Sequence, residues 1–139
     1  MTIFPTGAGI MFPYDKFSDV TLYQWGHMYC ISNYSFGPFA WEYYLFHYVI
    51  SGKGVLYSTD SNGEIKEYSL KAGQGFMIWP GQYNKYQADE KEPWEYAWVE
   101  FDGLLARELV VQAGLEYNSP VYDANGLDAQ SHFLCSAAL

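Results

Sequence analysis

Positive charge is scarce in this chain of 139 residues. Seven Lys and Arg residues stand against sixteen Asp and Glu, and Arg107 is the one arginine. The resulting formal charge of −9 repels the phosphate backbone of nucleic acids and the headgroups of anionic membranes. The sequence therefore predicts a chain that binds neither DNA nor a membrane by itself.

Patterns for metal binding and catalysis are also lacking. Cys30 and Cys135 lie far apart, and the three histidines show no HxH or HxxxH spacing, so no metal site is expected. No GxSxG motif is present, and Glu42, Glu95 and Glu100 are predicted to be surface carboxylates, the last two on opposite faces of one strand. We expect no metal, no cofactor and no catalytic residue.

Long apolar runs are missing as well. The N-terminus lacks a basic region followed by an apolar stretch, and no segment has the length of a membrane span. Half of the residues are hydrophobic, which excludes a disordered chain and is enough for the core of one domain. The cytoplasm is the expected location.

Aromatic residues are abundant, at 20% with 14 Tyr, 9 Phe and 5 Trp. Short aromatic segments alternate with turns such as Asn62-Gly63 and Pro80-Gly81, which indicates a β-barrel or sandwich rather than alternating strands and helices. Gly26-His27 is interpreted as another turn. The predicted strands are Val20–Trp25, Met28–Ser32, Tyr43–Ile50, Val55–Tyr57, Ile65–Tyr68, Gly75–Trp79, Tyr83–Gln87 and Glu95–Phe101.

The pattern divides the chain into three parts. Residues 1–19 are predicted to be an N-terminal arm or irregular edge, and residues 20–101 the barrel. Residues 102–139 are predicted to be helical, with Asp102 capping a helix over Leu104–Ala113 and Gly114 ending it. Leu105, Leu109 and Ala113 share one face of that helix by their spacing. A second helix is predicted from Leu127; it is still running at Leu139, so we expect a longer protein.

Two strands carry a face that is both polar and aromatic. Tyr96, Trp98 and Glu100 alternate along one strand, and Asn84 and Tyr86 along another. If both faces point inward, they form a wall with an indole plate and several hydrogen-bonding tips, which suits a sugar. An aromatic core with its hydroxyl groups reaching solvent fits the same periodicity.

The positions of the histidines allow one further candidate for a metal site. His27 and His47 could meet across strands, but two histidines without a nearby carboxylate make a poor metal site. We therefore expect His47 to be a packed or hydrogen-bonded residue of the barrel.

An ordered set of motifs resembles the N-terminal, cupin-like domain of AraC-type transcription regulators, in particular those linked to sugar and oligosaccharide use. The set covers roughly residues 33–122. Its members are Ser35-Phe-Gly-Pro38, Tyr44-Leu-Phe-His-Tyr-Val-Ile-Ser-Gly-Lys-Gly54, Leu70-Lys-Ala-Gly-Gln-Gly-Phe76, Trp79-Pro-Gly81, Tyr86-Gln-Ala-Asp89 and Pro93-Trp-Glu-Tyr-Ala-Trp-Val-Glu-Phe-Asp-Gly103.

The resemblance implies a mainly β, cupin-like jelly roll followed by helices that form a homodimer interface. It implies a small effector inside the barrel, usually a sugar, with an N-terminal arm closing over it; Phe4, Pro5, Phe12 and Tyr14 would lie in or near that arm. It also implies a helix-turn-helix DNA-binding domain, of which this chain shows no trace. The implied ligand-binding residues are Trp98 as the stacking residue, with Tyr96, Tyr86, Asn84, His47, Trp41 and Phe12.

Two positions depart from the pattern of the family. Trp41 stands where many relatives have an arginine, and Asn84 where a histidine is common. Both departures put the identity of the sugar in doubt, and the second removes a metal ligand of the metal-binding cupins. The alternatives to a sensory domain are a cupin-type sugar isomerase or epimerase, and a structural barrel that only dimerises.

Overall fold

The computed structural model describes residues 6–11 and 19–126, which form ten strands, one α-helix and one 3-10 helix. The helix α1 is Ala106–Gln112, and the 3-10 helix is Ala124–Gly126. The strands are β1 Thr6–Met11, β2 Thr21–Tyr29, β3 Ser35–Ala40, β4 Tyr44–Ser51, β5 Lys53–Thr59, β6 Ile65–Lys71, β7 Gln74–Ile78, β8 Tyr83–Ala88, β9 Glu95–Asp102 and β10 Val121–Asp123.

Two antiparallel sheets form the body of the domain. The larger sheet has the order β1-β2-β9-β4-β7-β10, and the smaller has the order β3-β8-β5-β6. Buried side chains from both sheets meet in one core that includes Leu45, Leu56, Phe76 and Trp94. The prediction of a mainly β jelly roll is therefore confirmed, because each sheet buries one face against the other.

A second, smaller core lies under α1. Ala106 and Val110 of the helix pack with Met77, Trp79 and other residues from the outer face of the larger sheet. Among the described residues, no helix has the length and apolar character needed to cross a membrane. The helix thus adds a third layer on the face of the large sheet that points away from the small one.

The outward side of α1 carries exposed leucines beside the exposed Arg107, Glu108 and Gln112. Leu105 and Leu109, which the spacing places on one face, are 40% and 46% exposed, and the preceding Leu104 is 67% exposed. The predicted stripe is therefore present, but it faces away from the protein, while Ala106 and Val110 supply the contact with the sheet.

Two predictions near the N-terminus are wrong. Thr6–Met11, predicted to be part of an irregular arm, forms strand β1 and pairs with β2 along its whole length. Gly26-His27, interpreted as a turn, lies inside β2, which runs unbroken apart from one register shift near Leu22. Within this strand Gly26 lies opposite Trp98 of β9.

The region after β9 is also less helical than predicted. Val121–Asp123 is a strand that pairs with β7. The helix begins later than predicted, with Leu105 at the N-cap position, while the Asp102 carboxylate accepts a hydrogen bond from the Gly103 amide. Gly114 does stand beyond the helix with a φ of 82°. The predicted second helix from Leu127 lies outside the described residues.

Candidate functional site

The site is built around β9, which lies between β2 and β4 in the large sheet. Trp98 is opposite Gly26 on β2 and opposite His47 on β4. Because residues in register across a sheet share a face, the inward row runs from Gly26 through Trp98 to His47. Tyr96 and Glu100 follow the same alternation and are 3% and 1% exposed.

Glycines leave room for the Trp98 indole. Gly9 on β1 lies opposite Gly26, and a Cβ atom added to Gly9 would lie 3.7 Å from the Cζ2 and Cη2 atoms of the indole. The ring therefore extends across β2 as far as β1. The indole thus forms an apolar plate at the inner face of the sheet.

A cavity of about 120 Å³ lies beside this plate, between the two sheets. Five of the residues that the sequence singled out line it: Trp98, Tyr96, Tyr86, His47 and Trp41. Their roles in binding stay predictions, but the structure brings them to one place. The other lining residues are Gln24, Met28, Tyr34, Phe36 and Leu45.

The sequence pattern did not reveal the five other lining residues, and for Gln24, Met28 and Phe36 the reason can be identified. Gln24 and Met28 flank Gly26 with the period of two that a strand requires, and dividing β2 at Gly26-His27 concealed their common face. Phe36 lies on β3, which was quoted only as part of a motif; its ring stacks on Trp41 at 5.7 Å and on Tyr86 at 5.6 Å.

Two predicted residues lie elsewhere. Asn84 is buried, but its side-chain nitrogen donates to the backbone oxygens of Phe39 and Gln82, at 3.2 and 3.1 Å, and it does not line the cavity. It borders a separate cleft on the outside of the small sheet. Phe12, like most of the predicted arm, lies outside the described residues.

His47 is enclosed by aromatic rings. It is 2% exposed and stacks on Phe76 with a centroid distance of 4.6 Å, while Tyr96 approaches edge-on at the same distance. Burial lowers the pKa of His47 to about 3, so the imidazole is neutral at physiological pH. The expectation of a packed barrel residue is confirmed.

Two buried polar atoms at the cavity have no hydrogen-bond partner in the protein. They are Nδ1 of His47 and the indole Nε1 of Trp41. A buried polar atom without a partner costs about 1–3 kcal/mol, and such atoms in native proteins require an explanation. Both residues line the cavity, so both atoms are suited to bind a polar guest.

Glu100 is not the surface carboxylate that was predicted. It is 1% exposed, and one carboxylate oxygen accepts a hydrogen bond from Nε2 of Gln24, whose side chain lines the cavity. Burial raises the pKa of Glu100, and the hydrogen bond from Gln24 partly opposes that shift. Its neighbour on the opposite face, Glu95, forms an ion pair with His27 at 3.3 Å.

The two histidines do not meet. His27 pairs with Glu95 on the outside of the large sheet, whereas His47 points between the sheets. The carboxylate that the sequence seemed to lack beside His27 is thus present. Within residues 6–11 and 19–126, no group of three His, Cys, Asp or Glu side chains is placed to hold a metal ion.

Comparison with known proteins decides the family. The family model described as the AraC-like ligand binding domain matches residues 22–138. The chain belongs to this family. The match includes every described residue that lines the cavity.

Two curated relatives are named as operon regulators, one of them of a raffinose operon. The Msm operon regulatory protein of Streptococcus mutans is 32% identical over 99 residues, which are 70% of this chain and 33% of that protein. The raffinose operon transcriptional regulatory protein of Pediococcus pentosaceus is 31% identical over 87 residues, 62% of this chain and 30% of that protein. This chain therefore spans about a third of the length of these relatives.

Solved structures of Bacillus subtilis oxalate decarboxylase share the fold. Two of them superpose with TM-scores of 0.53 and 0.54 at 13% and 14% identity, covering 84% and 81% of this chain and 36% and 35% of that one. At this level of identity the likeness concerns the cupin-like fold alone.

The burial of His47 predicts a pH dependence of stability. As the pH falls below about 6.5, the unfolded chain binds a proton at this residue and the folded chain does not until about pH 3. The free energy of unfolding should therefore decrease by up to about 1.4 kcal/mol per pH unit in that window. The variant H47Q should lack this component in urea titrations between pH 7 and pH 4.

Glu100 contributes to the pH dependence of the free energy of unfolding with the opposite sign. Its raised pKa means that the folded chain takes up this proton first as the pH falls, which stabilises the fold. The difference between wild type and H47Q isolates His47 from this effect. The control L56A removes a fully buried side chain that does not titrate and should lower stability equally at each pH. Parallel curves for wild type and H47Q would contradict the assignment.

Proposed function

We propose that this domain binds a sugar or glycoside in the cavity beside Trp98, and that its occupancy controls a DNA-binding domain in a longer regulator. Membership of the AraC-like family supports a ligand-binding role. Both curated relatives are named as operon regulators, and the name of the Pediococcus relative supports a sugar operon as the regulated target. Such a regulator would act in the cytoplasm, where the DNA is.

The observation that carries this proposal is the combination of an indole plate with unpartnered polar atoms in one cavity. The Trp98 ring suits the apolar C–H face of a pyranose. Nε1 of Trp41 and Nδ1 of His47 lack partners in the protein, and sugar hydroxyl groups can both donate and accept hydrogen bonds. Tyr86 and Tyr96, which line the same cavity, would orient further hydroxyl groups.

The size of the cavity limits how much of the ligand is enclosed. Its volume of about 120 Å³ is below the roughly 300–1,000 Å³ of sites that enclose a drug-sized ligand. We infer that one sugar ring enters, and that the remainder of a larger glycoside would extend outside. The presence of a cavity beside Trp98 also counts against a purely structural barrel.

The N-terminal segment belongs to this proposal as the element that responds to the ligand. Strand β1 brings Gly9 to the edge of the Trp98 ring, so a sugar on that ring would lie close to the chain that leads into residues 1–5 and 12–18. A ligand transmits a signal only if it binds one arrangement of the N-terminal segment better than another. Unchanged sugar affinity after deletion of residues 1–14 would contradict this part.

Sugar binding is tested by thermal unfolding with millimolar mono- and oligosaccharides, including raffinose. A ligand at 100 times its Kd adds about 2.7 kcal/mol to the stability of the folded state. For a domain of this size the unfolding midpoint should rise by several degrees. A panel without any shift would contradict the proposal.

Trp98 is tested with a matched tryptophan. W98L keeps an apolar side chain but removes the plate, and the affinity for the sugar should decrease about tenfold or more. The control is W25L, because Trp25 lies on the adjoining strand, next to Gly26, and is 40% exposed. Equal losses in the two variants would show that Trp98 does not stack on the ligand.

We also propose that the domain forms a homodimer through the outer face of α1. Leu104, Leu105 and Leu109 form an exposed apolar surface on this face, which a second copy of the chain would cover. The family resemblance points to the same region.

Dimerisation is tested by sedimentation velocity with the double variant L105E/L109E. Four buried glutamates in the interface of two copies would oppose association, so the variant should sediment as a monomer where the wild type sediments as a dimer. The control R107Q alters an exposed residue on the other side of the same helix and should leave the dimer intact. A monomeric wild-type chain at high concentration would contradict the proposal.

A further inference from the structure

Among the residues that the structure describes, no cation lines the cavity. Six of the chain's seven Lys and Arg residues belong to the described segments, and none of these six lines the cavity. They are Lys53, Lys66, Lys71, Lys85, Lys91 and Arg107. The seventh, Lys16, lies outside the described residues.

The polar groups that do line the cavity are uncharged. Gln24 contributes an amide, Trp41 an indole N–H, and Tyr34 and Tyr86 contribute phenols. His47 is neutral because burial holds its pKa near 3. These groups can form hydrogen bonds with the hydroxyl groups of a sugar. They carry no positive charge to balance the negative charge of a phosphate or a carboxylate, which proteins bind with Arg, Lys or a helix N-terminus.

A carboxyl group lies directly behind the wall. Glu100 is 1% exposed and is bound through Gln24, which faces the cavity. Its influence reaches the opposite wall: burial is the main cause of the raised pKa of Tyr86, and the charge of Glu100 is among the smaller contributions. A negative ligand would therefore meet like charge in a poorly solvated space, which costs several kcal/mol.

We propose that the cavity selects an uncharged glycosyl group and excludes sugar phosphates and sugar acids. This inference rests on the proposed sugar-binding function and narrows its ligand class. The selectivity has two parts, the lack of a cation at the wall and the Glu100–Gln24 pair behind it. The regulator would then detect the free sugar, and charged products made from that sugar would not maintain the signal.

The test is isothermal titration calorimetry on the whole chain with matched neutral and charged sugars. The probes are galactose and glucose, the 6-phosphate of each, the corresponding uronic acids, and raffinose. We expect each charged form to bind at least about 100-fold more weakly than its neutral parent, which corresponds to about 2.7 kcal/mol. A phosphate or uronate that binds as tightly as its parent would overturn the inference but leave the sugar-binding function standing.

Absence of binding by every probe, neutral or charged, would instead overturn the sugar-binding function and this inference with it. The two failures are therefore distinguishable. Thermal unfolding of the same samples in the absence of ligand verifies that the chain is folded in each titration.

Variants locate the source of the selectivity. E100Q keeps the size of the side chain and its contact with Gln24 but removes the charge, so the discrimination against the charged forms should decrease about tenfold or more. The control E92Q changes the net charge equally at a side chain that is 69% exposed and should leave the discrimination unchanged. Equal behaviour of the two variants would overturn the role of Glu100.

Lys16 requires its own variant. In K16M the chain loses the one cation whose position is not described, and the ratio of neutral to charged affinity should stay the same. If wild type binds a sugar phosphate tightly and K16M does not, Lys16 supplies the missing charge and the inference is wrong.

Discussion

The register of β9 between β2 and β4 is the constraint on which the site depends. It sets Tyr96, Trp98 and Glu100 toward the small sheet. A shift by one residue would turn all three outward and bring Ala97 and Val99 to the cavity. The pairing with two strands at once, together with the core on the inner face, fixes this register.

The inward row that runs from Gly26 through Trp98 to His47 has a glycine in the middle of a strand. Gly26 lies beside Trp98, and Gly9 lies beyond it on β1. A glycine inside a strand normally weakens it, because the residue loses more conformational freedom and packs no side chain. Here the Trp98 indole extends to Gly9 and also lines the cavity, so the part of the ring that faces the cavity is a surface that a ligand can use.

Polar groups in the aromatic core likewise cost stability. Trp41 and His47 each bury a nitrogen without a protein partner, and Glu100 buries a carboxyl group. Each feature opposes folding, since buried polar groups cost free energy when they are incompletely paired. Unpartnered buried atoms also occur away from the cavity, in Trp79, Asn84 and Trp94. Those of Trp41 and His47 belong to residues that line the cavity, where binding and stability can make different demands.

The sequence alone determined the fold class and most of the strands, because period-two alternation and glycine turns are local properties. It also identified Trp98, Tyr96 and Tyr86, since they belong to regularly alternating strands. Only the tertiary structure decided that Gly26 continues β2, that Glu100 is buried, and that the Asn84 amide bonds to the backbone rather than lining the cavity. These facts depend on which strand lies beside which, and contacts between residues 45 to 76 positions apart leave no trace in local patterns.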